Sequence, residues 1–369
     1  MKKILSQCLV LFLLAFALSA CNGNTTQSNQ PPTDTPPASS APTPGSSQAA
    51  STPAPTPEPT PEAFTEATVR VAYMPNMGGA SLLATALDKG FFTQMGLNVV
   101  PTEFQSGPPE IAAMASGDID VAYIGHGAHA LCIEGQAVIF QLDCIGRGDA
   151  VLGNTDKGVN TIADLRGKSV AVTSGTSSEM ILSLALQSVG MTKDDVNLVE
   201  IDANGMVAAM ASGNVDACAA WSPNTITIAA QLGSKCITLA DNEMFMDQVT
   251  FAQSYITTQN YVDSNRDVLI RFCRALQMAM DYRNANINEV ADLVAKFCEA
   301  DTETMRKSTG EQLWVKSSEI GNWLASGELI KIYEAQQKAF LDSGRIPEPV
   351  DVRNYILFDI MQEAYSANN

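Results

Sequence analysis

The stretch Ala112-Ala113-Met114-Ala115-Ser116-Gly117-Asp118-Ile119-Asp120 recurs 96 residues later as Ala208-Ala209-Met210-Ala211-Ser212-Gly213-Asn214-Val215-Asp216, with seven of nine positions identical. Each copy reads as a short helix that ends at a glycine, the residue that most readily adopts the left-handed conformation closing a helix. Each copy then runs into a short apolar segment, Val121 to Ile124 or Ala217 to Ala220, which is typical of a buried strand. The repeat therefore predicts two similar α/β halves.

The segments around the repeat extend this pattern in both halves. A strand precedes each copy, at Asn98 to Thr102 and at Asn197 to Ile201, so each copy belongs to a strand-helix-strand unit of a parallel sheet. Each half also opens with a strand, a glycine-containing turn and a helix. These opening segments are Val69 to Tyr73 with a helix from Ser81 to about Lys89, and Ser169 to Thr173 with a helix ending at Gly190.

The pattern changes to consecutive helices after Ser264. An apolar face repeats at helical spacing from Leu269 onward, with a serine positioned to cap the helix start. We expect these helices to pack back onto the first half. The further helices are predicted at Asn288 to Glu299, Glu311 to Leu324, Leu329 to Leu341 and Asp351 to Tyr365.

The first 63 residues predict export and a membrane anchor. Residues 1–20 combine Met1-Lys2-Lys3, an apolar run too short to span a bilayer comfortably and small residues before Cys21, as a secretory signal does. The segment resembles the lipoprotein signals of bacteria, which implies that Cys21 carries the lipid. Residues 21–63 are rich in Pro, Ser and Thr and hold eleven of the eighteen prolines, so we expect a semi-rigid tether.

Composition excludes several classes of partner and cofactor. The formal net charge of −18 disfavours nucleic acid and anionic lipid surfaces. The remaining cysteines are dispersed without a CxxC pair, and His126 and His129 have no third metal ligand nearby in sequence, so we expect no metal. The segment Gly125 to Ala130 matches a dinucleotide-binding fingerprint, but its repeat counterpart at Trp221 lacks one, so we expect no cofactor.

An ordered set of short motifs resembles the substrate-binding proteins for nitrate, sulfonates, taurine and thiamine precursors that serve ABC importers. The motifs, which cover residues 68 to about 285, are Val71-Ala72-Tyr73-Met74-Pro75, Lys89-Gly90-Phe91-Phe92, Ser116 to Val121, Ile162 to Lys168, Gly175-Thr176, Val215-Asp216-Ala217 and Trp221-Ser222-Pro223. Sulfonate-binding relatives often carry an acid between the tryptophan and the proline, whereas this chain has Ser222.

The resemblance implies a periplasmic-binding-protein-like fold of type II, an α/β fold with two lobes, a two-stranded hinge and C-terminal helices. On that basis residues 64–158 form the first part of lobe 1, residues 159–252 form lobe 2, and residues 253–369 return to lobe 1. The resemblance also implies that the lobes close over a solute and deliver it to an ABC permease and its ATPase. We expect a monomer that is not an enzyme and is lipid-anchored to the outer face of the cytoplasmic membrane.

Helix starts at the carboxyl ends of strands predict where the solute binds, because their unpaired N–H groups attract anions without lysine or arginine. Trp221 is placed to stack on the solute or exclude water from it. The predicted binding residues are Asn76, Met77, Gly78, Gly79, Ser106, Gly107, His126, Gly127, Ser174, Gly175, Thr176, Ser177, Trp221 and Ser222.

The predicted solute is a small oxyanion, sulfonate-like or taurine-like before nitrate-like. The alternative solute is a thiamine-precursor pyrimidine or another neutral aromatic compound that stacks on Trp221. The remote alternative is a cell-surface hydrolase that uses Ser174 with His126 across the cleft.

Overall fold

The computed structural model describes residues 64–366. The predicted signal peptide, the tether and the lipidated Cys21 lie outside the described residues. Within residues 64–366, no helix is both long enough and apolar enough to span a membrane.

Two mixed sheets organise the described chain. The first sheet has the strand order β11-β4-β10-β3-β1-β2, and the second has the order β7-β6-β8-β5-β9. The strands are β1 Ala67–Tyr73, β2 Leu97–Glu103, β3 Val121–Ile124, β4 Val138–Gly146, β5 Asp149–Asn154, β6 Ser169–Val172, β7 Asn197–Glu200, β8 Ala217–Trp221, β9 Cys236–Asp241, β10 Ala252–Thr257 and β11 Gln312–Trp314.

The sequence repeat corresponds to equivalent parallel strands in the two sheets. Strands β2, β1 and β3 are parallel neighbours in the first sheet, as β7, β6 and β8 are in the second. The last residue of each copy makes the same contact: an Asp120 carboxylate oxygen accepts the backbone N–H of Arg70 at 2.8 Å, and one of Asp216 accepts that of Ser169 at 2.9 Å. The predicted α/β fold with two lobes is confirmed.

Helices cover both sheets, and most of them follow the prediction. The helices are α1 Met77–Asp88, α2 Phe91–Gln94, α3 Gly107–Ser116, α4 His129–Ile133, α5 Ser177–Ser188, α6 Ala203–Ala211, α7 Asn224–Leu232, α8 Gln259–Ala285, α9 Ile287–Phe297, α10 Thr302–Lys307, α11 Ser317–Ser326, α12 Glu328–Asp342 and α13 Phe358–Ser366. Helix α8 packs against α1, α2 and α13, so the C-terminal part of the chain lies on the first half.

Two predicted helices begin later in the structure than predicted. Residues 312–314, predicted as helix, form β11 because they pair with β4 at the edge of the first sheet. The last predicted helix begins at Phe358, and only a single 3₁₀ turn at Val352–Asn354 precedes it. In contrast, α1 begins at Met77, before the predicted Ser81, because Asn76 caps it.

The chain crosses between the two sheets twice, once between β4 and β5 and once between β9 and β10. The first crossing is short, at Arg147 and Gly148, which lies before the predicted boundary at residue 158. The difference arises because β5 pairs with β8 and β9 and so belongs to the second sheet. The second crossing occupies residues 242–251, between β9 and β10.

Candidate functional site

A cavity lies at the carboxyl ends of the parallel strands, between the first and second sheets. It contains about 500 Å³ of space not filled by protein atoms, part of which is open to solvent. Both halves contribute to its wall, as expected for a site at which strands end and helices begin. The lining residues are Met74, Asn76, Ser106, Gly107, Tyr123, Gly125, Ala128, Gly148, Asp149, Thr176, Ser177, Trp221, Ser222, Gln253 and Gln312.

The starts of α3 and α5 face each other across the cavity. A Cβ atom added at Gly175, just before α5, would lie 3.2 Å from Cγ of Pro108, in the first turn of α3. Ser106 precedes α3 without capping it, and Ser177 opens α5. Within the described chain neither serine hydroxyl has a hydrogen-bond partner, so both hydroxyls are available to a molecule in the cavity.

Thr176 differs from these serines because its hydroxyl is already used. The Thr176 hydroxyl donates to the carbonyl oxygen of Thr173 at 2.7 Å and accepts the backbone N–H of Ser178 at 3.2 Å. This side chain therefore caps α5, and Thr176 offers the cavity its backbone and methyl group.

Asn76 presents its amide N–H₂ group at the start of α1. Its side-chain oxygen accepts the backbone N–H of Gly79 at 2.8 Å, which orients the amide. Beside it, the Tyr123 hydroxyl donates to the side-chain oxygen of Gln253. A Cβ atom at Gly78 would lie only 2.6 Å from the Tyr123 hydroxyl oxygen, so the absence of a side chain there lets this pair approach α1.

Asp149 is a buried carboxylate in the cavity wall. The residue is 3% exposed, its Oδ2 accepts Nδ2 of Asn242 at 3.0 Å, and its backbone N–H donates to Oδ1 of Asn242 at 2.7 Å. Nε2 of His126 lies 3.5 Å from the same Oδ2. Burial lowers the pKa of His126, although Asp149 opposes that shift, so the imidazole favours its neutral form.

A second carboxyl group lies next to this part of the wall. A Cβ atom at Gly148 would be 3.0 Å from Cβ of Glu311 and 3.1 Å from Cβ of Ser222. Oε2 of Glu311 has no hydrogen-bond partner. Burial raises the pKa of Glu311 to about 7, Ser222 opposes the shift by hydrogen bonding, and the charge of Asp149 adds to it.

Among residues 64–366, no lysine or arginine lines the cavity. Arg147 is next to Gly148, but its guanidinium pairs with Glu243. The neutral donors at the helix starts and the Asp149 carboxylate therefore dominate the polar character of the wall.

The structure brings seven of the fourteen predicted binding residues to the cavity. Those lining it are Asn76, Ser106, Gly107, Thr176, Ser177, Trp221 and Ser222. Those outside the lining are Met77, Gly78, Gly79, His126, Gly127, Ser174 and Gly175. Met77 and Gly79 pack inside the start of α1, where a Cβ at Gly79 would lie 2.5 Å from the Met74 carbonyl oxygen.

The predicted pairing of Ser174 with His126 is wrong. Ser174 is exposed, and its hydroxyl donates to Oε2 of Glu200 at 2.6 Å. His126 is fully buried and packs edge-on against Phe251, with ring centroids 4.9 Å apart. The two side chains have separate partners, so no serine–histidine nucleophile forms at these positions.

Gly127 lies where the backbones of the two halves approach each other closely. A Cβ atom at Gly127 would overlap the carbonyl group of Thr176 and the backbone nitrogen of Ser177. The short 3₁₀ segment His126–Ala128 of the first half therefore contacts the start of α5 in the second half through backbone atoms.

Several lining residues were missed by sequence reasoning: Met74, Tyr123, Gly148, Asp149, Gln253 and Gln312. Gln253 carried a usable signal, since it is a polar residue inside the apolar run Phe251–Ile256. The sequence signal for Asp149 was weaker, because an acid that follows Arg147 and Gly148 is typical of an exposed turn. Gln312 was missed because the sequence predicted a helix at residues 311–324, whereas Gln312 begins strand β11.

The chain forms two sheets, passes between them twice and has a cavity at the ends of its parallel strands. These features are those of the class of two-lobed solute-binding proteins. The chain belongs to the NMT1/THI5-like family, whose model matches residues 80–290. It is 31% identical over 291 residues to a Brucella abortus protein named as a binding protein, an alignment covering 79% of this chain and 90% of the relative.

Two further similarities concern proteins named for sulfonates. A Bacillus subtilis protein named as an aliphatic sulfonates-binding protein is 24% identical over 287 residues, covering 75% of this chain and 82% of the relative. The alkanesulfonate-binding protein SsuA from Xanthomonas axonopodis pv. citri, solved bound to MOPS, has a TM-score of 0.62 at 19% identity. That match covers 80% of this chain and 99% of SsuA, and it supports the predicted periplasmic-binding-protein fold.

Proposed function

We propose that this protein is an extracytoplasmic receptor that captures a small oxyanion between its two halves and delivers it to an ABC permease. The observation that carries the proposal is the cavity at the strand ends, where Ser106 and Ser177 present unpaired hydroxyls from opposing helix starts. Helix starts add backbone N–H groups and a partial positive charge, which stabilise a negatively charged group.

A sulfonate-like solute is favoured over a nitrate-like one. The names of the similar proteins support this order, since those from Bacillus subtilis and Xanthomonas axonopodis are named for sulfonates. Trp221, which lines the cavity, also supports it, because its indole offers a contact for the carbon chain that nitrate lacks.

The second candidate solute is a thiamine-precursor pyrimidine or another neutral aromatic compound. Trp221 and Tyr123, which both line the cavity, favour it because aromatic rings bind flat apolar faces well. This candidate keeps the receptor function and changes only the chemistry of the solute.

Delivery and anchoring complete the proposal. The receptor is exported, carries lipid on Cys21, stays on the outer face of the cytoplasmic membrane and acts as a monomer. The Cys21→Ala variant is expected to leave the membrane fraction.

Delivery is tested with the permease in proteoliposomes. The ATPase activity of the permease is expected to be stimulated more by solute-loaded receptor than by empty receptor. Equal stimulation by the two would contradict delivery.

A thermal-shift and calorimetry screen tests the solute class. Alkanesulfonates, taurine, nitrate, bicarbonate and pyrimidines are compared, because binding to the folded state alone raises its apparent stability. The proposal expects sulfonates to raise the melting temperature of the purified protein. Stabilisation by pyrimidines alone would replace the oxyanion with the aromatic solute, and turnover of a screened compound would support an enzyme.

A further inference from the structure

A buried thiol lies directly behind the wall of the cavity. Cys144 on β4 is fully buried, and β4 runs between β10 and β11 in the first sheet. Gln253 of β10 is directly opposite Cys144, and Gln312 of β11 is opposite Gly146, two residues further along β4. Because alternate residues of a strand share a face, the thiol lies between two glutamines that both line the cavity.

The thiol is within hydrogen-bond distance of both glutamine side chains. Sγ of Cys144 is 3.4 Å from Oε1 of Gln253 and 3.6 Å from Oε1 of Gln312. Burial, and after it the charge of Asp143, raises the pKa of Cys144, so the thiol keeps its proton and remains a donor. A thiol has one proton, so it donates to one of the two oxygens at a time.

These contacts orient the amide groups of the two glutamines. Oε1 of Gln253 accepts both the Cys144 thiol and the Tyr123 hydroxyl, so the N–H₂ group is left for another partner. Gln253 is 8% exposed, and no protein atom of residues 64–366 accepts a hydrogen bond from its Nε2. A Cβ atom added at Gly146 would lie 2.5 Å from that Nε2, so the glycine leaves room for the amide. Nε2 of Gln312 is equally free of protein acceptors in the part of the chain that the structure describes.

We propose that Cys144 is a positioning residue, whose thiol holds the side-chain oxygens of Gln253 and Gln312 so that both amides present N–H₂ groups to the solute. This inference rests on the proposed function, because the N–H₂ groups are donors for the oxyanion that the cavity captures. A reversed amide would present an oxygen instead, which repels an acceptor. Cys144 therefore affects solute affinity without touching the solute.

The carboxylate of Asp143 is the competing acceptor for the thiol. Asp143 precedes Cys144 at an irregularity in the pairing of β4 with β10, and both side chains are fully buried. Oδ1 of Asp143 lies 2.7 Å from a guanidinium nitrogen of Arg283, so a charged donor already contacts this carboxylate. The glutamine oxygens are therefore the acceptors that we assign to the thiol.

Infrared spectroscopy of the purified full chain tests this assignment without any solute. The S–H stretching band of Cys144 is the band that disappears in Cys144→Ala. Replacing Gln253 and Gln312 together with leucine is expected to move this band to higher frequency, because the thiol loses its acceptors. A band that stays in place would mean that the thiol donates elsewhere, as to Asp143, and would overturn the inference.

Calorimetry with ethanesulfonate tests the effect on binding. Cys144→Ala is expected to weaken the affinity about two- to tenfold, the range for one hydrogen bond between neutral groups. Cys144→Ser is expected to restore most of the loss, since a hydroxyl is a donor of similar size. Cys273→Ala is the matched control, because Cys273 is also fully buried but its thiol donates to the carbonyl oxygen of Phe140 at 3.6 Å. The control is expected to bind as the unaltered protein does, and melting temperatures confirm that all variants fold.

The outcomes separate this inference from the proposed function. If Cys144→Ser binds as weakly as Cys144→Ala, or if Cys273→Ala weakens binding equally, the thiol only fills space and the inference is overturned. Failure of ethanesulfonate and the other oxyanions to bind the unaltered protein would overturn the proposed solute. The infrared band would then still decide whether Cys144 donates to the glutamines.

Discussion

Asp149 on β5 lies opposite Trp221 on β8, and the two residues line the cavity from neighbouring strands. A charged acceptor and an aromatic face are thus held next to each other by the backbone pairing of the second sheet. We therefore expect the apolar part of a bound solute to contact the indole.

Replacing Trp221 with alanine is expected to weaken solute binding by about tenfold, because an aromatic contact in a cavity stabilises a bound molecule by about 1 kcal/mol beyond buried area. Solute binding is also expected to change the tryptophan fluorescence of the unaltered protein but not that of Trp221→Phe. Trp323→Phe is the control, since Trp323 does not line the cavity. Loss of the fluorescence response in the control alone would contradict this placement.

The sequence predicts Ser106, Ser174 and Ser177 as binding residues, but in the structure only Ser106 and Ser177 line the cavity with unpaired hydroxyls. Ser106→Ala and Ser177→Ala are each expected to lower sulfonate affinity by about 1.5 to 3 kcal/mol, since the acceptor is charged. Ser174→Ala, predicted from sequence but placed on the surface against Glu200, is expected to have no effect. Calorimetry compares the three variants, and the opposite ranking would contradict the site.

Gly127 tests the contact between the halves. Gly127→Ala adds a Cβ that overlaps the Thr176 carbonyl group, which disfavours the arrangement with the halves together by about 1 to 3 kcal/mol. Weaker binding with an intact fold is expected. Gly310→Ala is the control, because no atom lies within 4 Å of its added Cβ. Gly127→Ala with unaltered affinity would show that solute binding does not need this contact.

Glu311 is expected to make the stability of the protein depend on pH. Burial raises its pKa to about 7, so between about pH 4.5 and 7 the folded protein holds a proton that the unfolded chain releases. The free energy of unfolding of the unaltered protein, relative to Glu311→Gln, is therefore expected to fall as pH rises through this window. Burial lowers the pKa values of His126 and His129, which makes the free energy of unfolding rise with pH instead. This contribution is the same in both proteins, so it cancels when the free energy of unfolding of Glu311→Gln is subtracted from that of the unaltered protein.

The repeat made the fold predictable, because the same helix-glycine-strand pattern occurs in both halves and ends in Asp120 and Asp216, which make equivalent contacts. The helix starts at Ser106 and Ser177 were predictable for the same local reason. Asp149 and Gln312 were not, since their place in the cavity depends on pairing between strands far apart in sequence. Thr176 lines the cavity, but its hydroxyl serves the helix cap.

Closure on a solute is the central claim, and the distance between the halves measures it most directly. Fluorescent labels are attached at positions 98 and 197, because Asn98 of β2 and Asn197 of β7 are exposed and lie on edge strands of the two sheets. The partly exposed Cys236 and Cys298 are first replaced so that they do not react with the labels. Energy transfer between the two labels then reports the separation of the halves. A saturating sulfonate is expected to populate a single short separation. A sulfonate that binds by calorimetry yet leaves the distribution of separations unchanged would contradict capture between the halves.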